Sequence, residues 1–124
     1  MKQALSILIA GCVISTALGK ITIDQSTRTF RDEQGRARIF HGTNVVVKGA
    51  PYLPITDRFD AQMSLADEDL QNMIEWGIHF VRLGVMWESV ETSELTYNNT
   101  YLDEVDKLIT RLGEKGIYTL VDAH

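Results

Sequence analysis

Two stretches, WGIHFVRLGV (residues 76–85) and KGIYTLVDAH (residues 115–124), are copies of one junction: a helix end, a glycine, an isoleucine, an aromatic and a buried strand. Their glycines, Gly77 and Gly116, lie 39 residues apart. Each copy follows a stretch of helical periodicity. Ser64-Leu65-Ala66-Asp67 places a capping serine ahead of an acid, Leu70, Met73 and Ile74 recur at helical spacing, and Gly77 suits a C-terminal turn. The second helix is expected over Tyr101–Lys115, with Leu102, Val105, Leu108, Ile109 and Leu112 on its apolar face and Gly116 at its end. Upstream, RIFHGTNVVVK carries Val45-Val46-Val47, a run that suits a fully buried parallel strand. Strand, helix, strand, helix, strand at this spacing predicts right-handed βαβ units with parallel strands.

Two architectures use such runs, the eight-fold barrel and the open doubly wound sheet. A dinucleotide-binding sheet carries a glycine-rich phosphate turn between its first strand and first helix. Here that segment is VVVKGAPYLPITDRFDAQMS, long and proline-marked, with no such turn. The expected fold is therefore α/β, the N-terminal part of a (β/α)8 TIM barrel: its first three parallel strands and two helices, over residues 39–124. A whole barrel takes about eight strands and about 250 residues, so the chain reads as a fragment of a larger domain. Residues 20–38, with a turn at Gln34-Gly35, read as a small N-terminal β-hairpin.

Residues 1–19 are different in kind. Lys2, an apolar run from Ala4 to Ile14, and small residues at Ala17 and Gly19 have the layout of a secretory signal peptide cleaved after Gly19. A buried N-terminal helix is one alternative. A lipoprotein signal at Ile9-Ala10-Gly11-Cys12 is another, weakened because the apolar stretch runs on past Cys12, the sole cysteine. Asn98-Asn99-Thr100 is an N-glycosylation triplet, which agrees with export. The net charge of −5 and the lack of a basic cluster argue against a nucleic-acid partner.

In such barrels the functional groups stand at the C-terminal strand ends. Those ends supply Asn44 and Lys48, then Arg82 and Trp87, then Asp122 and His124. Arg82 sits within an apolar strand, so it needs a carboxylate or strand-end partner: it either holds a catalytic acid in place or makes a structural salt bridge. Asp122 and His124, two apart, project from one face. His124 is suited to donate to a sugar hydroxyl, or is a satisfied core histidine. Trp87 either stacks on a sugar ring or plugs the rim. Lys48 either binds a polar substrate or is solvated. Glu88, Glu91 and Glu94 read as solvated loop acids, and His41 and His79 as structural. Neither metal-ligand spacing nor a serine-nucleophile elbow is present, and no cofactor is expected.

RIFHGTNVVVKGAPYLP, IHFVRLGVMWESVE and YNNTYLDEVDKLITRLGEKGIYTLVDAH together resemble the opening part of glycoside hydrolase family 5, and within it the endoglycoceramidase branch. The resemblance runs over residues 28–124. It implies a secreted or lysosomal retaining β-glycosidase that cuts between an oligosaccharide and ceramide, with contact to a membrane surface through its lipid substrate. It implies that Arg82 supports the catalytic acids, that His124 belongs to the sugar site and that Lys48 lies at a glycan subsite. The family's acid/base and nucleophile glutamates lie on the fourth and seventh strands, so these residues alone are expected to be inactive. Glucosylceramide, a steryl glucoside or a plain β-glucan are alternative substrates. A short, non-catalytic secreted binding module is the alternative of a different class.

Overall fold

The structure, a computed structural model, describes residues 19–124. The expected signal segment, with Cys12, lies outside the described residues apart from Gly19.

The N-terminal unit is a three-stranded antiparallel meander where a hairpin was expected: β1 (Thr22–Asp24), β2 (Thr29–Arg31) and β3 (Ala37–Arg38), in that order. The additional turn is built by an acid. Asp24 Oδ1 accepts from Ser26 N at 2.9 Å, Ser26 Oγ at 2.6 Å and Thr27 N at 3.2 Å, folding the chain back within ITIDQSTRTF. Asp32 repeats the device, accepting from Gln34 N and Arg36 N around Gly35, whose φ is 73°.

The second sheet is parallel, in the order β4 (Gly42–Val45), β5 (Phe80–Val85), β8 (Tyr118–Ala123). The crossovers run through α1 (Asp67–Glu75) and α3 (Asn99–Glu114). Both crossovers end alike. Ile78 N bonds Met73 O at 2.8 Å beside Gly77 (φ 72°), and Ile117 N bonds Leu112 O at 3.0 Å beside Gly116 (φ 76°). Each is a bond spanning five residues that a left-handed residue makes possible, and glycine adopts that conformation without strain. The repeated junction in the sequence is thus a repeated helix stop.

Three local expectations need correction. The ladder of β4 ends at Val45, and Gly42, Thr43 and Asn44 are exposed, so the valine run is not a fully buried strand. Among the described residues β4 has one hydrogen-bonded neighbour, β5, and its other edge is open. Helix α1 starts at Asp67 with Ala66 as N-cap, not Ser64; Asp69 reaches back to the Ala66 N–H at 2.8 Å and to the Ser64 hydroxyl. The buried face of α3 is Tyr101, Val105, Leu108 and Leu112; Leu102 is turned outward and Ile109 packs at the margin.

Strand alternation sorts the sheet into two faces. Val81, Leu83 and Val85 join Leu70, Met73, Val105, Leu108, Leu112 and Ile117 in the core beneath the helices. Phe80, Arg82 and Gly84 take the opposite face, the interior side in a barrel. At the N-terminal strand ends Phe40 stacks on Phe80 at 5.0 Å and meets Phe30 and Tyr118 edge-on at 5.5 and 5.2 Å. This aromatic cluster binds the meander to the floor of the sheet. The opposite end is left open.

Candidate functional site

That open end carries the polar residues. Arg82 Nη2 donates to Asp122 Oδ2 at 2.7 Å, and His124 Nδ1 lies 3.3 Å from the same oxygen. Asp122 therefore bridges an arginine from β5 and a histidine just past β8. A carboxylate only accepts, so the His124 contact requires the proton on Nδ1 and turns Nε2 into the free ring nitrogen. Asn44 stands opposite Arg82 in the parallel register. Asn44 and Arg82 share the wall of an open depression of about 290 Å³ with Phe40, Phe80 and Leu120.

The backbone holds this corner together. His124 N donates to Val85 O at 3.0 Å, and Trp87 N donates to His124 O at 3.0 Å, so the ladder extends past the formal strand ends. Trp87 opens a short helix, α2 (Trp87–Val90), and is 54% exposed. A hairpin, β6 (Glu91–Ser93) and β7 (Thr96–Tyr97), follows where a plain loop was expected. Leu95, with φ 58°, occupies its turn, and Glu91 Oε1 accepts from Leu95 N at 2.7 Å. Glu91 is thus a turn cap rather than a freely solvated acid.

Lys48 is exposed and makes no hydrogen bond or ion pair among the described residues. The structure brings Asn44, Arg82, Asp122 and His124 together; Lys48 stands on the loop after β4 and Trp87 at the start of α2. Asn98, the expected glycan acceptor, caps α3, its Oδ1 accepting from Tyr101 N at 3.1 Å.

Sequence reasoning missed a second tie across the rim. Tyr52 takes φ 62°, and the nearby Glu88 carboxylate, together with burial, raises the Tyr52 pKa above its ordinary value. The carbonyl of Tyr52 accepts from the Tyr101 hydroxyl at 3.4 Å, and that hydroxyl accepts from Met86 N at 3.3 Å. One buried phenol thereby links α3 to the loop bearing Lys48 and to the start of α2. Tyr101 shows a signal for this in the sequence only in its polar tip on an apolar helix face. Among the described residues no group of three or more His, Cys, Asp or Glu is placed to hold a metal ion. No described helix is long and apolar enough to cross a membrane.

The family model described as cellulase (glycosyl hydrolase family 5) matches residues 41–124, from the first parallel strand through His124. The chain belongs to glycosyl hydrolase family 5. The three parallel strands and two crossover helices are the opening of the family's (β/α)8 barrel. Among curated proteins, the endoglycoceramidase of Cyanea nozakii is 37% identical over 120 residues, 96% of this chain and 24% of its own length. The endoglycoceramidase of Hydra vulgaris is also 37% identical, over 98% of this chain and 23% of its own. A solved structure of endo-glycoceramidase II from Rhodococcus sp., in complex with a five-membered iminocyclitol, superposes with a TM-score of 0.56 at 28% identity, covering 74% of this chain and 20% of that one. The chain spans about a quarter of the length of the curated relatives it matches.

Proposed function

We propose that these residues form the first part of a secreted or lysosomal retaining β-glycosidase that cleaves the bond between an oligosaccharide and ceramide. The observation that carries this reading is the 37% identity to two endoglycoceramidases along nearly the whole chain. The rim chemistry agrees with it. Arg82 fixes Asp122, Asp122 fixes the tautomer of His124, and Nε2 of His124 is left to pair with a sugar hydroxyl. Asn44 on β4 and Lys48 on the loop after it would supply further donors to the glycan, and the exposed indole of Trp87 offers an apolar face to a sugar ring.

Retention needs two carboxyls about 5–5.5 Å apart, one on either side of the scissile bond. In this reading neither belongs to residues 1–124; they come from strands that follow His124. Arg82 and Asp122 are positioning residues, and the 124-residue chain alone releases no sugar.

The test is hydrolysis by a protein of the relatives' length that carries this segment. Ceramide-linked oligosaccharide, glucosylceramide, a steryl glucoside and a cello-oligosaccharide are compared side by side. Release of intact oligosaccharide together with ceramide supports the proposal. Preference for any of the other three transfers the chain to another substrate within the family.

A further inference from the structure

Asn98-Asn99-Thr100 is the one Asn-x-Ser/Thr triplet in the sequence, with no proline at its centre. In the fold it lies where the β6–β7 hairpin passes into α3, and Asn99 and Thr100 are exposed. Asn98 is used at three of its polar groups: its N–H donates to Val90 O at 2.9 Å, its carbonyl accepts from Leu102 N at 3.1 Å and its Oδ1 accepts from Tyr101 N at 3.1 Å. Its amide nitrogen Nδ2 has no hydrogen-bond partner among the described residues. Asn98 is partly exposed, and its Nδ2 is not among the fully buried atoms that lack a partner. The hydroxyl of Thr100 is likewise without a partner among the described residues. Capping thus consumes the half of the carboxamide that glycosylation leaves alone, and leaves unbonded the half that it uses.

We propose that Asn98 carries an N-linked glycan, and that the folded protein keeps its helix cap while doing so. The transfer takes an oligosaccharide from a lipid diphosphate donor. A bond forms between Asn98 Nδ2 and the anomeric carbon, the anomeric C–O bond to the diphosphate breaks, Nδ2 loses one proton, and the polyprenyl diphosphate leaves. Because α3 begins on the side of the sheet where the strands end, the glycan stands beside the rim that bears Arg82 and His124.

This inference rests on export through a eukaryotic secretory route, and the test separates the two. The protein is expressed in animal cells in two forms, one with its own residues 1–19 and one with an unrelated signal sequence in their place. Each is compared, with and without peptide-N-glycosidase, against Thr100→Ala, which removes the triplet and keeps the Asn98 cap. The expected result is one slower-migrating species that the amidase collapses and that Thr100→Ala lacks. The same shift in the form with the substituted leader, but not in the native form, overturns the export reading and retains the site. Absence of the shift from both forms overturns the site. An additional variant, Asn98→Asp, keeps a carbonyl-type cap, lacks the acceptor nitrogen and should also run unshifted; a shift retained there places the glycan elsewhere.

Discussion

Arg82 and Asp122 meet at 2.7 Å although the strand register sets Arg82 opposite Leu120 and Asp122 opposite Gly84. The bond is diagonal, running from the middle of β5 toward the end of β8, and it draws the guanidinium toward the rim. The Arg82 side chain is 39% exposed, and half-exposed ion pairs add no more than about 1 kcal/mol to stability. Its value is in position. In the extended enzyme Arg82→Ala should lower kcat on the order of 10²–10³-fold, as the loss of one preorganised electrostatic contact does. Its urea midpoint should scarcely move. Near-normal turnover in that variant would reduce Arg82 to a structural role.

Gly42 should tolerate no side chain. A Cβ there would lie 2.5 Å from the Phe80 carbonyl oxygen and 2.8 Å from a carbon of its ring. The oxygen belongs to the neighbouring strand and the ring to the aromatic floor, so neither yields cheaply. Gly42→Ala should destabilise by about 1–3 kcal/mol, the cost of overpacking. Gly84→Ala offers the contrast: its nearest atoms, at 3.0–3.3 Å, are side-chain methyls of Val46 and Met86. Equilibrium denaturation of both variants should rank Gly42→Ala as clearly the worse.

Tyr101→Phe deletes a single oxygen from a residue that is 5% exposed. The Met86 N–H loses its acceptor and the Tyr52 carbonyl its donor. Leaving a buried amide unsatisfied costs about 1–3 kcal/mol. Amide hydrogen exchange should show the Met86 N–H less protected in this variant, while helix content stays the same.

What the sequence made legible follows from where its signals were redundant. Gly77 and Gly116 announce helix stops because both the residue type and the end of the apolar period agree, and the two stops share one hydrogen-bond pattern. Asp122 and His124 fall on one face by strand spacing alone. The β1–β2 turn was silent because Arg28, not glycine, takes the left-handed position, at φ 55°. The β6–β7 turn was silent for the same reason at Leu95. Helix α2 has four residues, too few to show a period. On α3, Leu102 and Tyr101 are adjacent, and periodicity does not say which of two neighbouring apolar residues faces inward; the hydrogen bonds to Met86 and to the Tyr52 loop select the tyrosine.

The meander should lose stability in acid. Hydrogen bonds from the Ser26 side chain, the Thr27 N–H and the Ser26 N–H hold the Asp24 carboxyl far below its ordinary value of 3.8. At Asp32 burial pushes upward, but the Arg36 N–H and guanidinium, the charge of Arg36 and the Gln34 N–H outweigh it, so this carboxyl is lowered too. Depressed folded-state values mean stability that is full above the unfolded carboxylate range and lost as pH falls toward the folded values. The thermal midpoint should therefore drop between about pH 5 and about pH 2, with the folded protein binding fewer protons than the unfolded chain. Asp24→Ala should be less stable at neutral pH and show a shallower acid slope; an unchanged slope would take Asp24 out of the account.

On β8, Leu120 is 50% exposed and Val121 52% exposed, and they lie on opposite faces of the strand. Among the described residues β8 pairs with β5 alone, so its other edge offers unpaired backbone groups beside uncovered apolar side chains. Such an edge is a template for another chain. A purified polypeptide of residues 20–124 should therefore associate as its concentration rises and bind an apolar dye. Val121→Lys, which puts a charge on the open strand, should reduce both effects, whereas a lysine at the already solvated position Glu94 should leave them unchanged. Sedimentation at several concentrations reads the association directly. A monomer that unfolds in one cooperative step and binds no dye would mean that three strands and two crossover helices suffice as a domain, and would shift the balance from part of a glycosidase toward a self-standing binding module.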